Sequence, residues 1–170
     1  MSNTSNAPAA SVLEIRTTGY GHPDAAKLAA EVQQEYVRRY GDIDQTSMHE
    51  DHFDPPYGLF VVGYLDGDPV ACGGWRAKEG NGDGLLEGDA ELKRMYVVER
   101  ARGRGLARVL LRHLEGTARE AGRTRFVLET GTEQPEAIAL YRSEGYLPIT
   151  KFGYYKDSEQ SVCMGKPLDG

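Results

Sequence analysis

No apolar run in the 170-residue chain approaches the roughly 18–20 residues that a helix needs to cross a bilayer. The opening residues, MSNTSNAPAAS, have neither a basic start nor an apolar stretch, so no export signal is expected there. Residues 1–10 are small and polar and read as a disordered tail. The sequon Asn3-Thr4-Ser5 carries no weight without export. Cysteine is scarce: Cys72 and Cys163 stand far apart and no CxxC occurs, which argues against a thiolate zinc site and for reduced thiols in a cytoplasmic protein. No Gly-Lys-Ser/Thr follows a glycine-rich turn, so a Walker A phosphate loop is absent. The spacing Gly103, Gly105, Arg108 also fails the dinucleotide pattern GxGxxG.

A net charge of −6 makes nucleic acid a poor partner. The charge is unevenly spread, however. From Lys93 to Arg125 ten basic residues stand against three acidic ones, for +7, while from Tyr40 to Glu91 twelve acidic residues stand against two basic ones, for −10. Two solvated faces would produce this pattern. So would one end built for an anion and another for a cation. The length fits one domain over residues 11–170, as a monomer or homodimer.

Periodicity and punctuation set the element order. A strand is expected over Val12–Thr18, and a helix opens at Pro23-Asp24 with Ala25, Leu28, Ala29, Val32, Tyr36 and Tyr40 on one face and Gly41 as its stop. Asp42–Pro56 is an acidic, His-bearing loop. Gly58–Leu65 and Pro69–Ala77 form a hairpin about Asp66-Gly67-Asp68. After a glycine-rich insertion (Gly80–Gly88) come a strand over Asp89–Val98, a helix over Gly105–Ala121, a strand over Arg125–Thr130 and a short helix over Pro135–Glu144. Strands over Tyr146–Ile149 and Ser161–Lys166 close the chain. A hairpin-rich first half joined to a βαβ unit implies an α/β fold with a mixed sheet.

The segment Arg100 to Ala107 concentrates the chemistry. A strand ends, a basic glycine-containing turn follows, and a helix begins. A helix N-terminus has unsatisfied N–H groups and partial positive charge, and glycine lets the backbone approach a phosphate closely. Arg100, Arg102 and Arg104 add charge at the same place. The stretch Arg102-Gly103-Arg104-Gly105-Leu106-Ala107 fits [QR]-x-x-G-x-[GA], and Ala137, Leu140, Tyr141, Gly145 and Tyr146 fit A-x-x-L-Y-x-x-x-G-[FY]. Together with Glu91–Val97 before them, these motifs resemble those of the GNAT (Gcn5-related N-acetyltransferase) superfamily over about residues 58–166.

That resemblance implies a central, mostly antiparallel sheet of six to seven strands, splayed between strands 4 and 5 and flanked by helices. It implies acetyl-CoA as co-substrate, an amine acceptor, an N-acetyltransferase reaction by direct attack in a ternary complex, and no metal. The pantetheine arm would pair with the backbone of Met95, Tyr96 and Val97, and the N–H groups of Gly103–Ala107 (Gly103, Arg104, Gly105, Leu106, Ala107), with Arg102, would hold the pyrophosphate. Thr130, Gln134 and Tyr141 complete the cofactor set. Many members have asparagine where Gln134 stands. The Val97 N–H would polarise the thioester carbonyl, Glu91 would be the general base and Tyr141 the acid that reprotonates the thiolate. Simple alternation places Glu91 and Val97 on one face and Arg94 opposite, unless the bulge known in this strand of the family resets it.

Other features carry less. His49-x-x-His52 lies among carboxylates but in a loop, His22 is placed to cap a helix, and His113 falls on a helix surface. Trp75, Tyr57, Phe53, Tyr154 and Tyr155 are candidates for the acceptor site. By resemblance that site is built from Asp42–Tyr57 and Lys151–Gln160. The acidity of the first segment points to a cationic small molecule or a peptide amine. A non-catalytic acyl-CoA-binding module with the same fold is the rival reading.

Overall fold

In the computed structural model, residues 12–80 and 83–169 are described. The predicted tail and two residues of the glycine-rich insertion lie outside them. The elements are β1 (Glu14–Thr17), α1 (Pro23–Tyr40), β2 (Gly58–Leu65), β3 (Asp68–Lys78), β4 (Asp89–Val97), α2 (Leu106–Glu120), β5 (Arg125–Gly131), α3 (Pro135–Ser143), β6 (Leu147–Pro148) and β7 (Ser161–Pro167). They form one seven-stranded sheet in the order β1-β2-β3-β4-β5-β7-β6, antiparallel except between β4 and β5. The α/β fold, the mixed sheet and the flanking helices expected from sequence are all present. Among the described residues no helix is long and apolar enough to cross a membrane.

Local chemistry sets both ends of α1. The His22 Nδ1 accepts the Asp24 N–H at 3.1 Å, Pro23 fills the first turn, and Gly41 closes the helix in the left-handed region at φ 82°, its N–H donating to the Val37 carbonyl at 2.9 Å. Gly41→Ala is expected to cost about 1–2 kcal/mol, because a Cβ is strained in this conformation. Urea unfolding checks it, and an unchanged midpoint would show that the helix end is not held.

Successive residues of β3 face opposite sides of the sheet. A Cβ on Gly73 would meet Leu114 of α2, and the Trp75 indole N–H donates to Thr117 of α2 at 2.9 Å. Gly74 and Arg76 face the other way, towards Phe53, His52 and Ser47. The core lies between, with Leu110, Leu111 and Leu114 fully buried against the sheet. At the far end, the Tyr146 hydroxyl donates to buried Glu115 at 2.6 Å, and Glu144 accepts from Arg108 and Arg112. These bonds hold α3 and the strand region after it against α2.

Two irregularities in β4 position the site. Its parallel pairing with β5 covers only Asp89–Glu91 against Arg125–Val127, whereas β5 stays paired with β7 throughout. From Leu92 onward the edge of β4 facing β5 is therefore open. In addition, Gly74 pairs with Lys93 and Cys72 with Tyr96, so one residue of β3, Gly73, opposes two of β4, Arg94 and Met95. This is a bulge, and Arg94 takes φ 57° there. It resets the alternation. Lys93 and Tyr96 share a face, and the Glu91–Val97 coincidence expected from simple alternation does not hold. β6 is shorter than its predicted range, with Pro148, which has no N–H for a ladder, as its last residue.

Candidate active site

Where β4 and β5 part, a cavity of about 370 Å³ runs along β4 to the start of α2. Met95, Tyr96, Val97, Arg102, Gly103, Gly105, Leu106, Ala107, Gln134 and Tyr141 line it. Arg104 and Thr130, also expected at the cofactor, do not line it. Val32, Glu35 and Arg39 of α1 also line it; the sequence pattern places only Val32 of these, on a helix packing face.

The backbone of this cavity is rich in unspent donors. The Val98 N–H bonds the Val70 carbonyl of β3 at 2.9 Å, so by strand alternation the Val97 N–H points to the open edge. The Val97 carbonyl on that edge accepts from Arg102 Nε at 2.9 Å. A turn of 3-10 helix (Glu99–Ala101) leads into Gly103 at φ 81° and Gly105 at φ 76°. A Cβ on either would meet nothing within 4 Å, so the left-handed backbone, not crowding, calls for glycine here. The first turn of α2 has no acidic residue and no side-chain cap. Uncapped leading N–H groups of this kind are suited to an anion.

The three arginines are not gathered as expected. Arg100 pairs with Asp68 at 2.6 Å across the hairpin turn, and Arg102 pairs with Glu35 at 3.0 Å, leaving Arg104 without a partner among the described residues. Tyr141 is buried at the cavity wall, edge-on to Tyr146. Burial raises its hydroxyl pKa, so the proton stays on at neutral pH.

A second cavity, of about 400 Å³, lies on the other side of Gln134, the one residue common to both linings. The Gln134 Oε1 accepts from the Tyr40 hydroxyl at 3.2 Å, and a Cβ on Gly131 would collide with that same hydroxyl. Tyr36, Tyr40, Tyr154, Tyr155, Asp42, Asp44, Lys93, Arg94, Glu129 and Thr130 form much of its wall. The Tyr155 hydroxyl accepts the Gln45 N–H at 2.7 Å, which ties the acidic loop to the segment before β7. These are the two segments expected to build the acceptor site. Of the five aromatic candidates, Tyr154 and Tyr155 line the cavity. Trp75 and Phe53 are core, and Tyr57 is exposed and does not line the cavity.

The carboxylates divide sharply. Glu91 lines neither cavity. It is buried, with Arg76 Nε at 3.0 Å and the Lys78 and Lys93 ammonium groups each at 4.0 Å. Glu129, which sequence reading missed, lines the second cavity. Burial pushes its carboxyl up to about 7, reinforced by Glu91 and Asp44 and opposed by Lys93. Nothing in the sequence marks it beyond its place one residue before Thr130. For Asp44, burial works against ionisation, but Lys93 and Arg94 hold the carboxyl below its ordinary value. His52 Nδ1 lies 3.2 Å from Arg76, and the described residues contain no group of three or more metal-ligating side chains.

Comparison with known proteins agrees with this fold. The family model described as Acetyltransferase (GNAT) family matches residues 25–146. The chain is 39% identical over 109 residues to an IAA acetyltransferase of Azospirillum brasilense, covering 64% of this chain and 67% of that protein. It is 32% identical over 137 residues to the uncharacterized N-acetyltransferase YjgM of Escherichia coli, covering 77% and 79%. A Klebsiella pneumoniae crystal structure designated an acyl-CoA N-acyltransferase superposes with TM-score 0.73 and 29% identity, over 93% of this chain and 99% of that one.

Proposed function

The chain belongs to the GNAT family of acetyltransferases, and on that premise we propose that it is an acetyl-CoA-dependent N-acetyltransferase that acts on a primary amine by direct attack in a ternary complex, in the cytoplasm. One observation carries the reading. The unpaired edge of β4 runs straight into the uncapped N-terminus of α2, and the cavity along it meets a second, polar cavity at Gln134.

The residues present fit the cofactor. The N–H groups of Gly103–Ala107 and Arg104, which has no partner among the described residues, take the pyrophosphate. The Met95 and Val97 backbones pair with the pantetheine amides, with Arg102 already on the Val97 carbonyl. Acetyl-CoA supplies an activated acyl carbon on a good leaving group. The Val97 N–H donates to the carbonyl oxygen, where a preorganised donor contributes roughly 3–4 kcal/mol to the transition state. Glu129, rather than the buried and paired Glu91, takes the proton from the amine, and Tyr141 returns one to the sulfur. Gln134 and Thr130 sit at the junction where the acyl group meets the acceptor.

Acetyl-CoA at a hundredfold excess over its Kd is expected to stabilise the protein by about 2.7 kcal/mol. For a domain of this size that is a rise in Tm of roughly 5–11 °C. No shift at saturating cofactor would remove the cleft assignment.

A further inference from the structure

We infer that the acceptor is an amine carrying a carboxylate close to its nitrogen, an amino acid in the chemical sense, with the nitrogen at Glu129 and the carboxylate on Lys93. This rests on the transferase reading above and names its substrate class.

Lys93 is the carrying observation. Its side chain is 10% exposed and lines the acceptor cavity. Its nearest carboxylate oxygens are on Asp44 at 3.6 Å and on Glu91 at 4.0 Å. Both lie beyond hydrogen-bonding range, about 2.7–3.2 Å for such a pair. An ammonium group has three N–H donors. Here none makes a hydrogen bond to another described residue, although the side chain is nine-tenths buried. A ligand carboxylate would supply the missing acceptor.

The acidic loop does not point the other way. Asp44 is committed to Arg94 at 2.7 Å and to the Thr46 N–H at 2.9 Å. Asp42 is turned to its own loop, accepting from the Ile43 N–H at 2.7 Å. The two acidic side chains of the loop that line this cavity, Asp42 and Asp44, are thus engaged within the protein. A bare diamine or polyamine would bring further positive charge beside Lys93 and Arg94. A zwitterion places its amine at Glu129, which accepts no hydrogen bond among the described residues, and its carboxylate at Lys93, which has carboxylates nearby but donates no hydrogen bond to a described residue. The tyrosine walls leave room for an apolar or aromatic body.

The test follows free-thiol release with matched pairs, phenylalanine against phenethylamine and tyrosine against tyramine. The carboxylate-bearing member is expected to have kcat/KM at least about tenfold higher, the effect of one charge-assisted hydrogen bond. The ratio should collapse in Lys93→Met and survive in Lys93→Arg. Equal or better use of the decarboxylated amines overturns the inference, as does a ratio retained in Lys93→Met. If Lys93→Met does not fold, the wild-type pairs decide. Turnover of spermidine without turnover of any amino acid overturns the inference and leaves the transferase reading standing. Absence of thiol release with every amine overturns both.

Discussion

Glu129→Gln is expected to lower kcat by about 10²–10⁴-fold, the range that a positioned general base supplies, while acetyl-CoA still raises Tm. The wild-type kcat/KM should show an acid limb with its midpoint near 7, because burial holds the carboxyl protonated until then. The variant should lose that limb. The stability effect has the opposite sense. A raised folded-state pKa means that the folded protein holds this proton more tightly than the unfolded chain, so stability falls as pH rises from the ordinary carboxylate range through about 7. A neutral glutamine avoids that loss, and Glu129→Gln should be no less stable than wild type at pH 8. Lost activity in a protein that still unfolds at the wild-type temperature would separate chemistry from folding. Unchanged kcat with the acid limb intact would remove Glu129 from the reaction.

The contrast between Glu129 and Glu91 also shows where sequence reading stops. Helices, hairpin and element order were legible because they rest on local signals: Pro23 and Gly41 at the ends of α1, the 3.6-residue spacing of Leu110, Leu111 and Leu114, and Asp66-Gly67 at the hairpin. The glycine turn before α2 was legible because consecutive residues build it. The second cavity was not, since it is assembled from α1, β4, β5 and two loops distant in sequence. Tyr36 and Tyr40 obey the same period as the core residues of α1, yet they lie beyond the last buried turn and face a cavity. The pairing of Arg102 with Glu35 spans 67 residues, so local charge counting overstated the free charge in the turn. Arg94 shows the same limit within one strand. A single bulged residue at φ 57° reassigned every side chain after it.

Glu91→Gln is expected to act chiefly on stability, costing about 3–5 kcal/mol, because it removes one partner of a buried ion pair and leaves the other uncompensated. That corresponds to a fall in Tm of roughly 6–20 °C. The side chains of Glu91 and Arg76 are only 6% and 7% exposed, and Lys78 and Lys93 also face the Glu91 carboxylate. Without it, three cations share one partly dry region. The pKa of Lys78 is already lowered, first by burial and then by Arg76. Arg76 also donates to the Ser47 carbonyl at 2.9 Å, so the loss should loosen the loop that leads to the second cavity. The double variant Arg76→Met with Glu91→Leu should recover most of the stability, since no buried charge is then left unpaired. Activity assigns the roles. At a temperature where Glu91→Gln is folded, its kcat should fall far less than that of Glu129→Gln. Its acid limb should also move below 7, because removing a neighbouring negative charge lets Glu129 ionise more easily. A Glu91→Gln protein with wild-type Tm and a hundredfold lower kcat would reverse the two assignments and restore Glu91 as the base.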